Sequence, residues 1–490
     1  MSRQDLKCFK GKVYFFLYTS LCILGLFYLC SSNYLLRHFL QTLKGGFKMM
    51  SKTSKSKFKK LAITTALAAN CFAAFPGFAA NVADDYTAIW SRQQAEKVTL
   101  TEETTAPPVD MDFNLVAPDQ WVWDTWPLQN RDGSLAIVNG YKIAFALVAP
   151  RSIGWNDRHT EARIGMFYSK NGKDWTYAGI PYNYDKALGH MQWAGTAMLD
   201  EKGKVHLFYT ATGDKSNWDN NGWVQRAEQR IAKTTFDITA DKSGVSLTNE
   251  GPHQIILEAD GKYYETIENW NGNIITAFRD PFFFQDPNTG KEYIIFEGQA
   301  GSDRSHLKPE NIGDEDYRKT HSVPEGAHLY NGNIGIAEVL DHDITKLKLL
   351  PPLLESVGAN HQLERPHVVV NGDDYYLFTI SHTFTYAPGL TGPDGVYGFV
   401  GKGLRSEYEP MNESGLVIGN PKENPYQAYS WMVLPNQQVI SFINEPKDEN
   451  GQVQFGGTFA ATLKLSLDGD KSEIIKEQRN GEIKPFGPNR

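Results

Sequence analysis

The sequence predicts an all-β fold, and its internal repeats favour a five-bladed β-propeller with a central funnel-shaped site. Three observations carry this. Short runs rich in Tyr, Phe, Val and Ile, such as Tyr141–Val148, His206–Thr212, Tyr293–Gly298 and Tyr375–Ser381, lie between clusters of Gly, Pro, Asn and Asp and read as strands. Few stretches keep a helical period for three turns. Beyond residue 80, a motif–strand–turn–aromatic strand unit recurs five times, a period of the kind that marks propellers.

The first unit opens at Trp123-Asp124-Thr125-Trp126-Pro127, turns at Asn139-Gly140 and returns along Tyr141–Val148. The second opens at Trp193-Ala194-Gly195-Thr196 and returns along His206–Thr212 after Asp200–Gly203. Arg279-Asp280-Pro281 opens the third, which turns at Asp286–Gly290. Glu364-Arg365-Pro366 opens the fourth, with its turn at Asn371-Gly372, and Tyr429-Ser430-Trp431 opens the fifth, which returns along Val439–Asn444. Asn-Gly between apolar runs is a strong hairpin signal. On pattern alone, aromatic hairpins also suit a sandwich. In a propeller, openers far apart in sequence converge on one pocket.

Composition narrows the function. With 41% hydrophobic and 22% charged residues, the chain is neither disordered nor a polytopic membrane protein. Of 49 Lys and Arg and 57 Asp and Glu, 12 bases and one acid precede residue 80, leaving 37 bases against 56 acids. So acidic a body argues against nucleic acid as a partner. Cys8, Cys22, Cys30 and Cys71 all lie before residue 80, so the body has no disulfide or Cys-based metal site. The 12 histidines form no His-x-x-x-His pair, and neither a phosphate loop nor a Gly-x-Ser-x-Gly elbow occurs. The acidic stretch Glu310–Tyr317 reads as a solvated loop or part of a funnel rim.

Lys52, Lys55, Lys57, Lys59 and Lys60 precede an apolar run, Leu61–Phe75, and then Pro76-Gly77-Phe78-Ala79-Ala80. This order describes a signal peptide over 49–79 with cleavage after Ala79, hence a secreted or periplasmic protein. Val13–Cys30 is apolar and long enough to span a membrane. A second, complete signal peptide behind it favours a misplaced start before Met49-Met50, with an N-terminal anchor over 1–48 as the alternative. Membrane contact is expected only if 13–30 is retained. The domain expected is 80–490.

The openers carry acids: Asp124 between Trp123 and Trp126, Asp280 after Arg279, and Glu364 before Arg365. Any one alone is ordinarily a turn or surface residue. Three in one pocket suit glycoside chemistry, in which one carboxylate attacks the anomeric carbon and another protonates the leaving oxygen. Trp123, Trp126 and Trp193 offer flat faces for sugar C–H groups.

These motifs, with Phe296-Glu297-Gly298, occur in the order found in glycoside hydrolase family 68, the levansucrases and inulosucrases, and the sequence resembles that family from about residue 85 to 485, most closely its Gram-negative levansucrases. The related invertases normally have Asn-Asp-Pro and Glu-Cys-Pro motifs, which are absent here. The resemblance implies a five-bladed propeller that cleaves sucrose, releases glucose and passes fructose to a β-2,6-fructan or water. It implies Asp124 as nucleophile, Glu364 as general acid and base, and Asp280 as transition-state stabiliser. It places Trp123, Trp193 and Arg279 at the fructosyl subsite, and Gln362, Arg365, His382 and Tyr429 on the glucose or acceptor side. No cofactor is implied. His361 stands where calcium-binding members carry an acid, so no metal is expected, and His382 stands where many relatives have Arg. Sucrose and fructan acceptors are the expected partners, and a monomer is expected. An inulosucrase, a hydrolytic β-fructofuranosidase and a non-catalytic carbohydrate-binding propeller are the alternatives.

Overall fold

In the computed structural model, residues 85–216, 227–269, 274–301 and 306–489 are described. The expected extension 1–48 and the expected signal peptide 49–79 lie outside them. Each opener begins the first strand of a four-stranded antiparallel unit. Blade I comprises Gln120–Asn130, Tyr141–Pro150, Arg163–Ser169 and Thr176–Gly179. Blade II comprises Met191–Leu199, Lys204–Thr212, Gln229–Asp241 and Gly244–Thr248. Phe278–Gln285, Glu292–Gln299, Gly332–Val339 and Leu347–Glu355 build blade III, with Ala88–Ile89 added in parallel at its edge. Blade IV runs through Glu364–Asn371, Asp374–Ser381 and Gly395–Gly401 to Glu409–Pro410 and Leu416–Gly419. Blade V uses Ala428–Val433, Gln438–Ile443, Ala461–Asp468 and Lys471–Asn480.

The five-bladed propeller expected from the repeats is therefore present. The second strand Tyr141–Pro150 is buried at every position but the last, and the other second strands are buried almost throughout, because each lies between neighbouring blades. That double burial explains why they read as continuous apolar runs rather than alternating ones. Blades I and II meet through parallel pairing of Leu128–Asn130 with Ala197–Leu199. Blade V closes on blade I where Val122 N–H donates to the Gly457 carbonyl (3.1 Å) and Ile483 N–H to that of Gly172 (2.8 Å). Trp126 and Trp431, on the innermost strands of blades I and V, are fully buried in this core.

Two local expectations differ. The blade IV hairpin pairs Asn371 with Asp374, so its two-residue turn is Gly372-Asp373, with Gly372 at φ 63°, rather than Asn371-Gly372. The stretch Glu310–Tyr317 is not a loop but parts of two short helices, Pro309–Ile312 and Glu315–Thr320. Asp314 starts the second by accepting the Tyr317 N–H, as an N-cap does. Among the described residues no helix is long and apolar enough to cross a membrane.

Candidate active site

Each innermost strand breaks register at its opener: between Trp123 and Trp126, Trp193 and Gly195, Arg279 and Phe282, Glu364 and His367, and Tyr429 and Met432. These are β-bulges, which bend a strand and re-aim its side chains. In four blades the bulged residue has a left-handed backbone: Asp124 (φ 48°), Asp280 (φ 59°), Arg365 (φ 46°) and Ser430 (φ 57°). Asp adopts that region more readily than most residues, whereas for Arg it is strained by about 1–3 kcal/mol. Pro281 and Pro366 follow two of these residues, and a bulge is where a strand tolerates a missing N–H. In blade II, Gly195 packs its backbone so closely on blade II's second strand that a Cβ would lie 2.1 Å from the Phe208 carbonyl oxygen.

The bulges also fix the equivalence of the openers. Asp124, Asp280, Arg365 and Ser430 share one structural position, and Trp123, Arg279, Glu364 and Tyr429 share the position before it. Glu364 therefore corresponds to Arg279, not to Asp280. In blades I to IV two adjacent residues reach the funnel, and in blade V Tyr429 alone does, which lets carboxylates and their counter-charges interleave.

Asp124, Asp280 and Glu364 line one cavity of about 490 Å³, together with Trp123, Trp193, Arg279, Gln362, Arg365, His382 and Tyr429. All ten site residues expected from sequence are brought together. Trp126 is not: it is fully buried and stacks on Phe145 at 6.3 Å, so it belongs to the core.

Glu364 is gripped from both sides. Arg279 Nη2 donates to its Oε1 (2.8 Å), and the Tyr429 hydroxyl donates to its Oε2 (2.5 Å). Arg279 also pairs through Nε with Glu297 Oε2 at 2.6 Å and lies 3.9 Å from Asp280 Oδ2. Asp280 Oδ2 accepts the backbone N–H of Arg365 (3.1 Å), which ties blade III to the bulge of blade IV. Arg365 donates to Ser430 Oγ (2.5 Å) and to the Thr125 carbonyl (3.1 Å). Its guanidinium is thus held by blades I and V beside Asp124, where it serves as a counter-charge.

Charge crowding tunes these acids. Burial pushes the Asp124 carboxyl up, while Arg365, a hydrogen bond from Ser430 and Arg158 oppose the shift. Asp280 is pushed up to about 7, first by burial and then by Glu364 and Asp124, against the pull of Arg279 and Arg365. Burial also pushes the Glu297 carboxyl up, against the pull of Arg279, which pairs with it.

Several functional neighbours had weak sequence signals. Glu297 stands in the Phe296-Glu297-Gly298 motif, within the strand Glu292–Gln299, but nothing in that motif marks it as the partner of Arg279. Asp394, Arg158, His159, Phe384 and Tyr426 line the cavity from loops and short 3-10 turns, where no periodicity marks them.

The sequence profile of the Levansucrase/Invertase family matches residues 79–484. The chain belongs to this family. Among family members, the levansucrase LscB of Pseudomonas savastanoi pv. glycinea is 40% identical over 81% of this chain and 92% of its own length. An extracellular sucrase of Zymomonas mobilis is 40% identical over 78% of this chain and 92% of its own. The inulosucrase of Halalkalicoccus jeotgali, solved bound to kestose, superposes with a TM-score of 0.73 at 37% identity, covering 81% of this chain and 97% of the other. The levansucrase/invertase fold and the sequence-based resemblance therefore agree.

Proposed function

We propose that the protein is a levansucrase-type enzyme: a retaining fructosyltransferase that cleaves sucrose, releases glucose and transfers fructose to a β-2,6-fructan or to water. The observation that carries this reading is the meeting of Asp124, Asp280 and Glu364 in one funnel, interleaved with Arg279 and Arg365. In the first step Asp124 attacks C2 of the fructosyl unit, and Glu364 donates a proton to the departing glucosyl oxygen. Arg365 and a hydrogen bond from Ser430 favour the ionised, attacking form of Asp124 against the effect of its burial. In the second step Glu364 accepts a proton from the incoming hydroxyl, which displaces Asp124 from C2 with net retention. Asp280 holds the fructosyl hydroxyls, and its bond from the Arg365 N–H fixes its orientation.

Trp123 and Trp193 line the cavity and offer apolar ring faces to sugar C–H groups. His382 and Gln362 stand on the glucose or acceptor side. The complete set of acids and its organised counter-charges favour catalysis over a carbohydrate-binding role. Export is proposed as well, supported by the Lys52–Ala80 pattern and by the extracellular sucrase among the relatives.

Incubation of residues 80–490 with sucrose tests the activity. Free glucose in excess of free fructose is expected, with polymer whose NMR spectrum shows β-2,6 linkages. Equal amounts of the two sugars would mean hydrolysis alone, β-2,1 signals an inulosucrase, and unchanged sucrose a binding protein.

A further inference from the structure

Asp394 precedes the third strand of blade IV and is 1% exposed at its side chain, yet no step of the reaction above gives it a role. Its two oxygens are both engaged. Oδ2 meets His382 Nδ1 at 2.7 Å, and Oδ1 accepts the Thr383 N–H at 2.8 Å. The His382 ring is fixed on both faces, stacked on Tyr429 (centroids 3.8 Å apart, 16° between planes) and on Phe384 (5.0 Å, 19°). Its other nitrogen, Nε2, points toward Glu364 and lies 3.8 Å from Oε2, the oxygen that also accepts the Tyr429 hydroxyl.

We propose that Asp394 is a positioning residue: its buried carboxylate holds His382 by Nδ1–H, so that Nε2 is presented to Glu364 and to the acceptor hydroxyl that Glu364 deprotonates. This rests on the fructosyltransferase reading and adds a residue to it. A carboxylate on one imidazole nitrogen selects which tautomer the ring adopts and favours the charged form. The other charges facing His382 come from Glu364 in blade IV and Asp124 in blade I, with His159 and Arg279 as the nearby cationic or ionisable groups. Burial alone would lower the proton affinity of His382. The bond to Asp394 and the charges of Glu364, Asp394 and Asp124 outweigh it and raise the pKa above the usual histidine value.

The test reads His382 directly and does not require activity. In ¹⁵N-histidine NMR of the wild-type protein, the neutral form of His382 is expected as the Nδ1–H tautomer. An Nε2–H tautomer would overturn the proposal. In Asp394→Asn the charge is lost while an acceptor stays, and the His382 titration is expected to fall by roughly one pH unit. An unchanged titration contradicts the assignment. With sucrose, Asp394→Asn should lower the ratio of transfer to hydrolysis several-fold and shift its pH midpoint downward with the His382 titration. In a His382→Gln background the same substitution should change nothing further, since residues that act through one another are non-additive. A full, additive effect there would show that Asp394 acts by another route. Failure of wild-type protein to consume sucrose would sink the fructosyltransferase reading while leaving the NMR result standing.

Discussion

Replacing Arg279 by Met should destabilise the protein in a way that depends on pH. Arg279 is 5% exposed and pairs with Glu297, which is fully buried, at 2.6 Å and with Glu364 at 2.8 Å. Asp280 lies 3.9 Å from the same guanidinium. Burial lowers proton affinity on Arg279, but Glu297, Glu364 and Asp280 together outweigh it, so the cation is firmly charged. Removing one partner of a buried pair typically costs 3–5 kcal/mol, because the remaining charge has neither water nor counter-ion. The expected loss at pH 7.5 is therefore about 3–5 kcal/mol. The orphaned acids can take up protons instead. Their folded pKa values then lie above the unfolded ones, so the lost stability returns as pH falls toward the unfolded carboxylate range near about 4. Urea unfolding at pH 5 and at pH 7.5 measures both points. The gap between wild type and Arg279→Met should be clearly smaller at pH 5. Exchanging Glu297 for Leu in the variant should recover part of the loss, since that removes the most deeply buried orphan. A loss below about 1 kcal/mol at pH 7.5, or the same loss at both pH values, would refute this account of the funnel's electrostatics.

Other consequences are separable. Asp124→Asn and Glu364→Gln should each lower sucrose turnover by several orders of magnitude without unfolding the propeller, as steady-state kinetics and circular dichroism would show. Asp280→Asn should lower kcat more than it changes KM, and a large KM rise at constant kcat would contradict a transition-state role. The same substitution should raise thermal stability near pH 7.5. A carboxyl raised to about 7 contributes stability below its unfolded pKa and loses it as pH rises through the folded one, so the gain should vanish toward pH 4. Phe384→Ala removes a ring that is 63% exposed and stacks on His382. It should leave the denaturation midpoint nearly unchanged while lowering the fraction of fructose transferred, measured as glucose minus free fructose.

Much of this architecture was legible in the sequence because the second strand of each blade is buried on both faces. Tyr141–Pro150 and Asp374–Ser381 therefore stand out as apolar aromatic runs whatever surrounds them. Eight of the ten site residues sit in the openers themselves, whereas Gln362 and His382 came only from the family resemblance. The bulges were not legible, since a left-handed residue such as Arg365 is imposed by pairing with the neighbouring strand rather than by local preference. That register makes Glu364 the structural counterpart of Arg279 rather than of Asp280. Trp126 misled for a similar reason: its motif is shared with Trp123, but the bulge between them sends one ring to the funnel and the other to the core. Asp394 left no trace because its meaning comes only from the ring of His382, 12 positions away, that it holds.

The most direct test of the central claim is to quench the protein in acid during sucrose turnover and map modified peptides by mass spectrometry. A single fructosyl unit esterified to Asp124, absent in Asp124→Asn, is the predicted result. Steady turnover with Asp124 unmodified, or with the sugar on another carboxylate, would contradict it.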